Sequence, residues 1–180
     1  GDYPVYYPHE GWAEQNPEEW WTAVCGATRK VITQAGIQPE EIAGVGIDGQ
    51  SWSAIAIDKE GKVLTNTPIW MDTRAQSICD RLNKEIGEEK IFETAGNSLQ
   101  PSYTTAKILW YRENLPEVYK NICKILQSNS YIAYRLTDAI TQDVSQGYGI
   151  HCFNMKTGKW DSEMCRLLGI PESFLPEKIC

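Results

Sequence analysis

The chain contains no apolar run approaching the roughly 20 residues a helix needs to cross a bilayer, so no segment reads as membrane-spanning. It also lacks any cluster of Lys and Arg. Its 17 basic residues face 24 acidic ones, and a net charge of −7 argues against nucleic acid, whose phosphates call for concentrated positive charge. The acidic residues are scattered through helical segments and read as a solvated surface. No Cys-x-x-Cys occurs. Six cysteines at wide, irregular spacing, in a chain large enough to build a core without cross-links, are expected to be the reduced thiols of a cytoplasmic protein. His151-Cys152 has no further ligands near it in sequence, which leaves no zinc pattern. Gly1-Asp2-Tyr3-Pro4 does not read as a signal peptide, and no repeat, low-complexity tract or Ser/Gly-rich linker interrupts the chain. What is left, 180 residues at 42% hydrophobic and 23% charged, has the composition of one ordinary soluble domain.

The local patterns divide this domain into an early strand-rich part and a later helical part. Asn16-Pro17-Glu18-Glu19 is a helix start, with Asn as N-cap, Pro at the first helical position and Glu19 placed for a capping box. Trp20, Val24, Ala27, Val31 and Ala35 follow at helical spacing until Gly36. A second short cap at Gln38-Pro39-Glu40-Glu41 leads into Ile42–Ile47, which reads as a buried strand. Ser53–Ile57, Val63-Leu64 and Pro68–Trp70 read as further strands joined by short turns. From Thr73 onward the periodicity predicts helices over 73–86, 88–95, 104–113, 116–121, 128–136 and 161–168. The expectation is one α/β domain, a mixed sheet with helical cover.

Gly44-x-Gly46-x-x-Gly49 fits the letters of a dinucleotide fingerprint but not its context. That motif follows a strand and opens a helix, whereas here a helix precedes and a strand follows. The glycines suit close packing and a bulged strand end instead. Two corners in the same stretch carry more chemistry. Gln50-Ser51-Trp52 sits at a strand end, and Trp70-x-Asp72-x-Arg74 follows some twenty residues on. Amide and carboxylate groups take hydrogen bonds from hydroxyls, and an indole covers the C–H face of a polyhydroxylated ring or chain. Each corner also has a plainer reading. Trp52 packs in the core, and Asp72 with Arg74 forms an ion pair that fixes the turn.

The stretch Gly44–Arg74 resembles the N-terminal domain of the FGGY carbohydrate kinases, the family that includes xylulokinase and glycerol kinase. GWAEQNPEEWW (Gly11–Trp21) is similar to the family's entry into its first long helix, and PSYTTAKILW (Pro101–Trp110) to its Pro-aromatic-Thr-x-x-Lys segment. SYIAYRLTDAITQDVSQGYG (Ser130–Gly149), Trp160-Asp161 and Gly169-Ile170-Pro171 match later motifs in the right order. The resemblance implies the ribonuclease-H-like fold of the actin and hexokinase group. It makes residues 1–180 a partial sugar-binding domain, without the family's first strands, its catalytic-base segment and its C-terminal nucleotide domain. ATP and Mg²⁺ would then serve the parent enzyme and not bind this fragment alone, and no residue here would be catalytic or hold a metal.

Carried over residue by residue, the resemblance gives Gln50, Ser51, Trp52, Trp70, Asp72, Ser102 and Tyr103 as candidate substrate contacts. Ser51-Trp52 departs from the Met-His of xylulokinase and the Arg-Glu of glycerol kinase. Glycerol is therefore disfavoured, and a ketose or alditol, a pentulose such as xylulose first, is favoured. Glycerol kinase's substrate Tyr falls at Ser102, an offset that turns Tyr103 toward the core. Lys107 reads as a helix-surface residue or a structural pair. Asp143-x-Ser145 reads as an element beside the site or as turn-and-cap chemistry. The partners implied are a small sugar or polyol and the rest of the kinase, with a homodimer through an exposed sheet edge as a further expectation. The other readings are a non-enzymatic sugar-sensing domain on the same fold and a protein-interaction fragment.

Overall fold

The computed structural model describes residues 1–180. A short strand, β1 (Glu14–Gln15), leads into α1 (Pro17–Ala35). Asn16 Oδ1 accepts the Glu18 N–H at 3.0 Å, and Gly36, at φ 67°, closes the helix with its N–H on the Ile32 and Thr33 carbonyls. The expected capping box does not form, because Glu19 is drawn away to accept the Tyr6 hydroxyl at 2.7 Å. The apolar stripe of α1 is covered over its first turns only. Trp20 is buried, whereas Val31 is 62% exposed.

Residues 42–47 do not form the strand their apolar pattern suggests. Residues 42–46 are exposed, Val45 at 71%, Ile47 packs partly buried against the smaller core, and residues 43–53 make no backbone–backbone hydrogen bond. A strand needs a neighbour to satisfy its backbone, and no other backbone pairs with this one. The local strand order differs for the same reason. β2 (Ile55–Ile57) does not pair into a ladder with the run after its turn, and only Ile57 bridges to Val63. Its partner is the distant β4 (Lys124–Leu126), antiparallel, while β3 (Thr67–Pro68) pairs with β1.

The remaining elements are α2 (Gln76–Leu82), α3 (Glu88–Ala95), α4 (Thr104–Asn114), α5 (Pro116–Lys120), α6 (Ser128–Thr137), β5 (Thr141–Gln142), α7 (Val144–Gly147), β6 (Phe153–Asn154), β7 (Lys159–Trp160), α8 (Ser162–Leu168) and β8 (Lys178–Ile179). The helix expected over 73–86 is shorter, ending in a widened turn at Asn83–Gly87 that runs directly into α3. The strands form four two-stranded ladders, three antiparallel and one parallel.

β2 divides the interior by its two-residue period. Ala54 and Ala56 face a large core with Ile78, Ile91, Ile108 and Leu109, and Ile55 and Ile57 face a smaller one with Trp20, Leu126 and Tyr131. α4 runs through the larger core, and every residue from Thr104 to Tyr111 is buried. Lys107 lies within that run, fully enclosed, which corrects its reading as a helix-surface residue. All six cysteines are free thiols.

Candidate functional site

The corner after β3 is built around one guanidinium. Arg74 lies against the indoles of Trp12 and Trp110, which meet edge-on, 3.9 and 4.9 Å from their ring centres, and its side chain is 3% exposed. Its Nη2 reaches Glu14 at 2.9 Å and Asp72 at 2.8 Å. Asp72 is saturated. Its Oδ2 accepts from Ala13 N at 2.7 Å and Arg74 Nε at 2.9 Å, and its Oδ1 accepts from Arg74 N at 3.0 Å. At 1% exposure the carboxylate is spent inside the domain, so the ion-pair reading describes its geometry.

Trp70 is turned outward from the same corner, 52% exposed. It stands at the edge of a cleft of about 530 Å³ that α2 and the 98–102 loop wall on either side. Thr73, Gln76, Asn83, Glu88 and Ser102 line it, Asp72 borders it, and no Lys or Arg does. Sequence reasoning missed Gln76 and Asn83. Their seven-residue spacing, two turns along one helix face, is the pattern that could have exposed them.

The other candidates are placed elsewhere. Trp52, at φ 67°, leans on Tyr103 at 4.5 Å and Tyr148 at 5.9 Å between ring centres, and Tyr103 meets the buried His151 ring edge-on at 5.2 Å. The Trp52 indole N–H is buried without a partner. Gly149 lies so close that a Cβ there would come within 2.4 Å of the Trp52 ring. Burial raises the Tyr103 phenol above its usual range. Ser51 Oγ takes a long hydrogen bond from Gln146 Nε2 at 3.4 Å. Gln50 turns away, donating to Gln15 Oε1 at 2.7 Å and lining a separate hollow with Trp20 and Ser128. The structure thus brings Trp70, Asp72 and Ser102 together at the cleft and gathers Trp52 and Tyr103 in an adjoining aromatic wall. Gln50 joins neither.

The wall and the cleft meet at Lys107. Its Nζ donates to the Trp52 carbonyl at 2.7 Å and the Ser102 carbonyl at 2.6 Å. Burial pushes this amine down to about 7, against the pull of the nearby Asp72. Behind the wall, buried amides and a hydroxyl hold the loop. Gln142 donates to Gln127 at 3.0 Å, Gln127 to Thr104 Oγ1 at 2.9 Å, and Thr104 Oγ1 to the Ser53 carbonyl at 3.2 Å. His151 Nδ1 lies 3.0 Å from Thr105 Oγ1, and burial pushes its ring down to about 4. Asp143 caps α7, accepting Gln146 N at 2.9 Å and Asn129 Nδ2 at 2.6 Å, so turn-and-cap chemistry accounts for it.

Comparison with known proteins places this geometry. The profile of the FGGY family of carbohydrate kinases, N-terminal domain, matches residues 1–179. A glycerol kinase of Thermococcus kodakarensis is 33% identical over 180 residues, 98% of this chain and 36% of its own length. A xylulose kinase of Bacillus subtilis is 27% identical over 174 residues, 97% of this chain and 35% of its own. Among solved structures, the gluconate kinase of Lactobacillus acidophilus superposes with a TM-score of 0.91 at 28% identity, covering the whole chain and 36% of its own. The chain therefore spans about a third of the length of the relatives it matches.

Its fold is the ribonuclease-H-like, actin/hexokinase-type fold of the sugar kinases. The chain belongs to the FGGY family of carbohydrate kinases, to their N-terminal domain.

Proposed function

We propose that this chain is the sugar-binding part of an ATP-dependent kinase acting on a neutral ketose or alditol, a pentulose first. One observation carries the reading. An exposed indole, Trp70, stands over a cleft whose polar lining is hydroxyl, amide and carboxyl groups without a single cation. Such a lining accepts and donates hydrogen bonds to hydroxyls, the indole covers their C–H face, and an anionic sugar finds no counter-charge. The xylulose kinase relative supports a pentulose, and the absence of Arg-Glu at Ser51-Trp52 weighs against glycerol.

The same lining offers no Lys or Arg to a nucleotide's phosphates. ATP and Mg²⁺ are assigned to the rest of the kinase, and no catalytic residue is assigned to this chain. What its residues do is bind and orient. Trp70 and Ser102 border the sugar, Trp52 and Tyr103 back the neighbouring wall, and the Asp72–Arg74 pair fixes the corner.

The test is ADP release by the whole protein with Mg-ATP across pentuloses, hexuloses and alditols, with gluconate as the charged control. Turnover on a neutral member is expected. Turnover on gluconate alone overturns the neutral-cleft reading, and silence across the panel overturns the kinase.

A further inference from the structure

Lys107 hydrogen-bonds both halves of the site. It projects from the middle of α4 and is wholly enclosed. Its two acceptors, the carbonyls of Trp52 and Ser102, sit at 2.7 and 2.6 Å and belong to loops fifty residues apart in sequence. The Ser102 turn is closed by its own backbone, Tyr103 N–H on the Gln100 carbonyl at 3.1 Å, but the Trp52 loop does not fix itself. Residues 43–53 make no backbone–backbone hydrogen bond, and Trp52 occupies the left-handed region at φ 67°, which a residue with a side chain avoids. Something outside the loop must hold Trp52 there.

We propose that Lys107 is a positioning residue of the sugar site: a buried amine that pins Trp52 in its left-handed conformation and ties it to the Ser102 turn. This rests on the function proposed above. A core position needs no lysine for packing, since Met or Leu fills that volume without burying an ionisable group. What lysine alone adds is donors at the end of a long arm. A neutral amine has two N–H groups, and two carbonyls receive them. The lowered proton affinity of this amine agrees with that count. Through Lys107 the aromatic wall behind Trp52 and Tyr103 and the cleft edge at Ser102 keep one relative geometry.

The test uses the whole protein labelled with 5-fluorotryptophan, as Lys107→Met and Lys107→Gln variants. The Trp52 fluorine resonance, assigned by its loss in Trp52→Phe, reads the clamp. Trp110, on the same helix, and Trp20, in the smaller core, report general loosening. In Lys107→Met the Trp52 resonance should shift and broaden while Trp110 and Trp20 stay put. The sugar KM should rise by about tenfold with the ATP KM within about twofold. Lys107→Gln, whose amide keeps two N–H donors, should recover part of both effects. An unmoved Trp52 resonance in folded Lys107→Met overturns the proposal, as does joint broadening of all three or an equal rise in both KM values. If the parent turns over no sugar, the proposed function fails, and the resonances alone decide the clamp.

Discussion

Substituting Asn for Asp72 asks whether this carboxylate serves the corner or the sugar. In the structure both oxygens are engaged, by Ala13 N and by three nitrogens of Arg74. An amide in that place turns its NH₂ toward Ala13 N–H or toward Arg74, donor against donor, whichever way it is flipped. Arg74, 3% exposed, then keeps Glu14, the faces of Trp12 and Trp110 and one neutral amide oxygen in place of the carboxylate. Breaking a buried ion pair from one side costs about 3–5 kcal/mol, and the surviving Glu14 contact places Asp72→Asn near 3. Against a total stability of roughly 5–15 kcal/mol for a domain, that is a large fraction. Urea unfolding followed by tryptophan fluorescence reads it directly. A double-mutant cycle with Arg74→Met should return a coupling of about 2 kcal/mol. If Asp72→Asn stays within about 1 kcal/mol of the parent, with no coupling to Arg74 and a sugar affinity that collapses, the corner account is wrong. The carboxylate would then be a sugar ligand.

Three further outcomes are expected. His151 is held neutral, its folded value of about 4 lying below the usual 6.5, so the unfolded chain takes up the proton first as pH falls. Its contribution, full above pH 6.5 and lost as pH drops toward 4, amounts to about 2 kcal/mol between pH 7 and 5. Urea midpoints of parent and His151→Gln over that window should diverge in slope, and parallel slopes would refute the assignment. Trp70→Ala should leave stability within about 0.5 kcal/mol, because the indole is half in solvent, yet raise the sugar KM about tenfold; an unchanged KM removes Trp70 from the site. The unpaired, apolar backbone of 43–47 should drive self-association of the isolated chain, and Val45→Lys should reduce it. Sedimentation velocity showing monomer at high concentration would count against this.

Much of this arrangement could be read from local pattern. The Asn16 cap and the Gly36 stop follow from residue type, and the helices at 88–95, 104–114 and 128–137 from spacing, all of which depend on near neighbours in sequence. What escaped depends on distant partners. β2 finds its ladder partner about seventy residues away at β4, and β1 meets β3 across some fifty. Ile42–Ile47 has a strand's composition without a strand's neighbour, which no window of residues can reveal. The site divides in the same way. The Trp70–Arg74 corner was legible as a cluster of chemistry, with both readings of Asp72 in view. The side of the loop that Gln50 faces and the carbonyls that Lys107 reaches are tertiary facts. A lysine inside Thr-Thr-Ala-Lys-Ile-Leu-Trp was the available hint, since α4 is buried on every face.

The backbone at residue 52 narrows the choices open to anyone redesigning this site. A left-handed φ of 67° is comfortable for glycine, tolerable for asparagine or aspartate, and hostile to valine, isoleucine or threonine. Side-chain swaps chosen for shape alone would therefore fail at this position for reasons unrelated to the sugar. A productive library would sample the residues the main chain already accepts, keep the amine beneath it, and leave Gly149 untouched, since any larger residue there collides with the ring at 52.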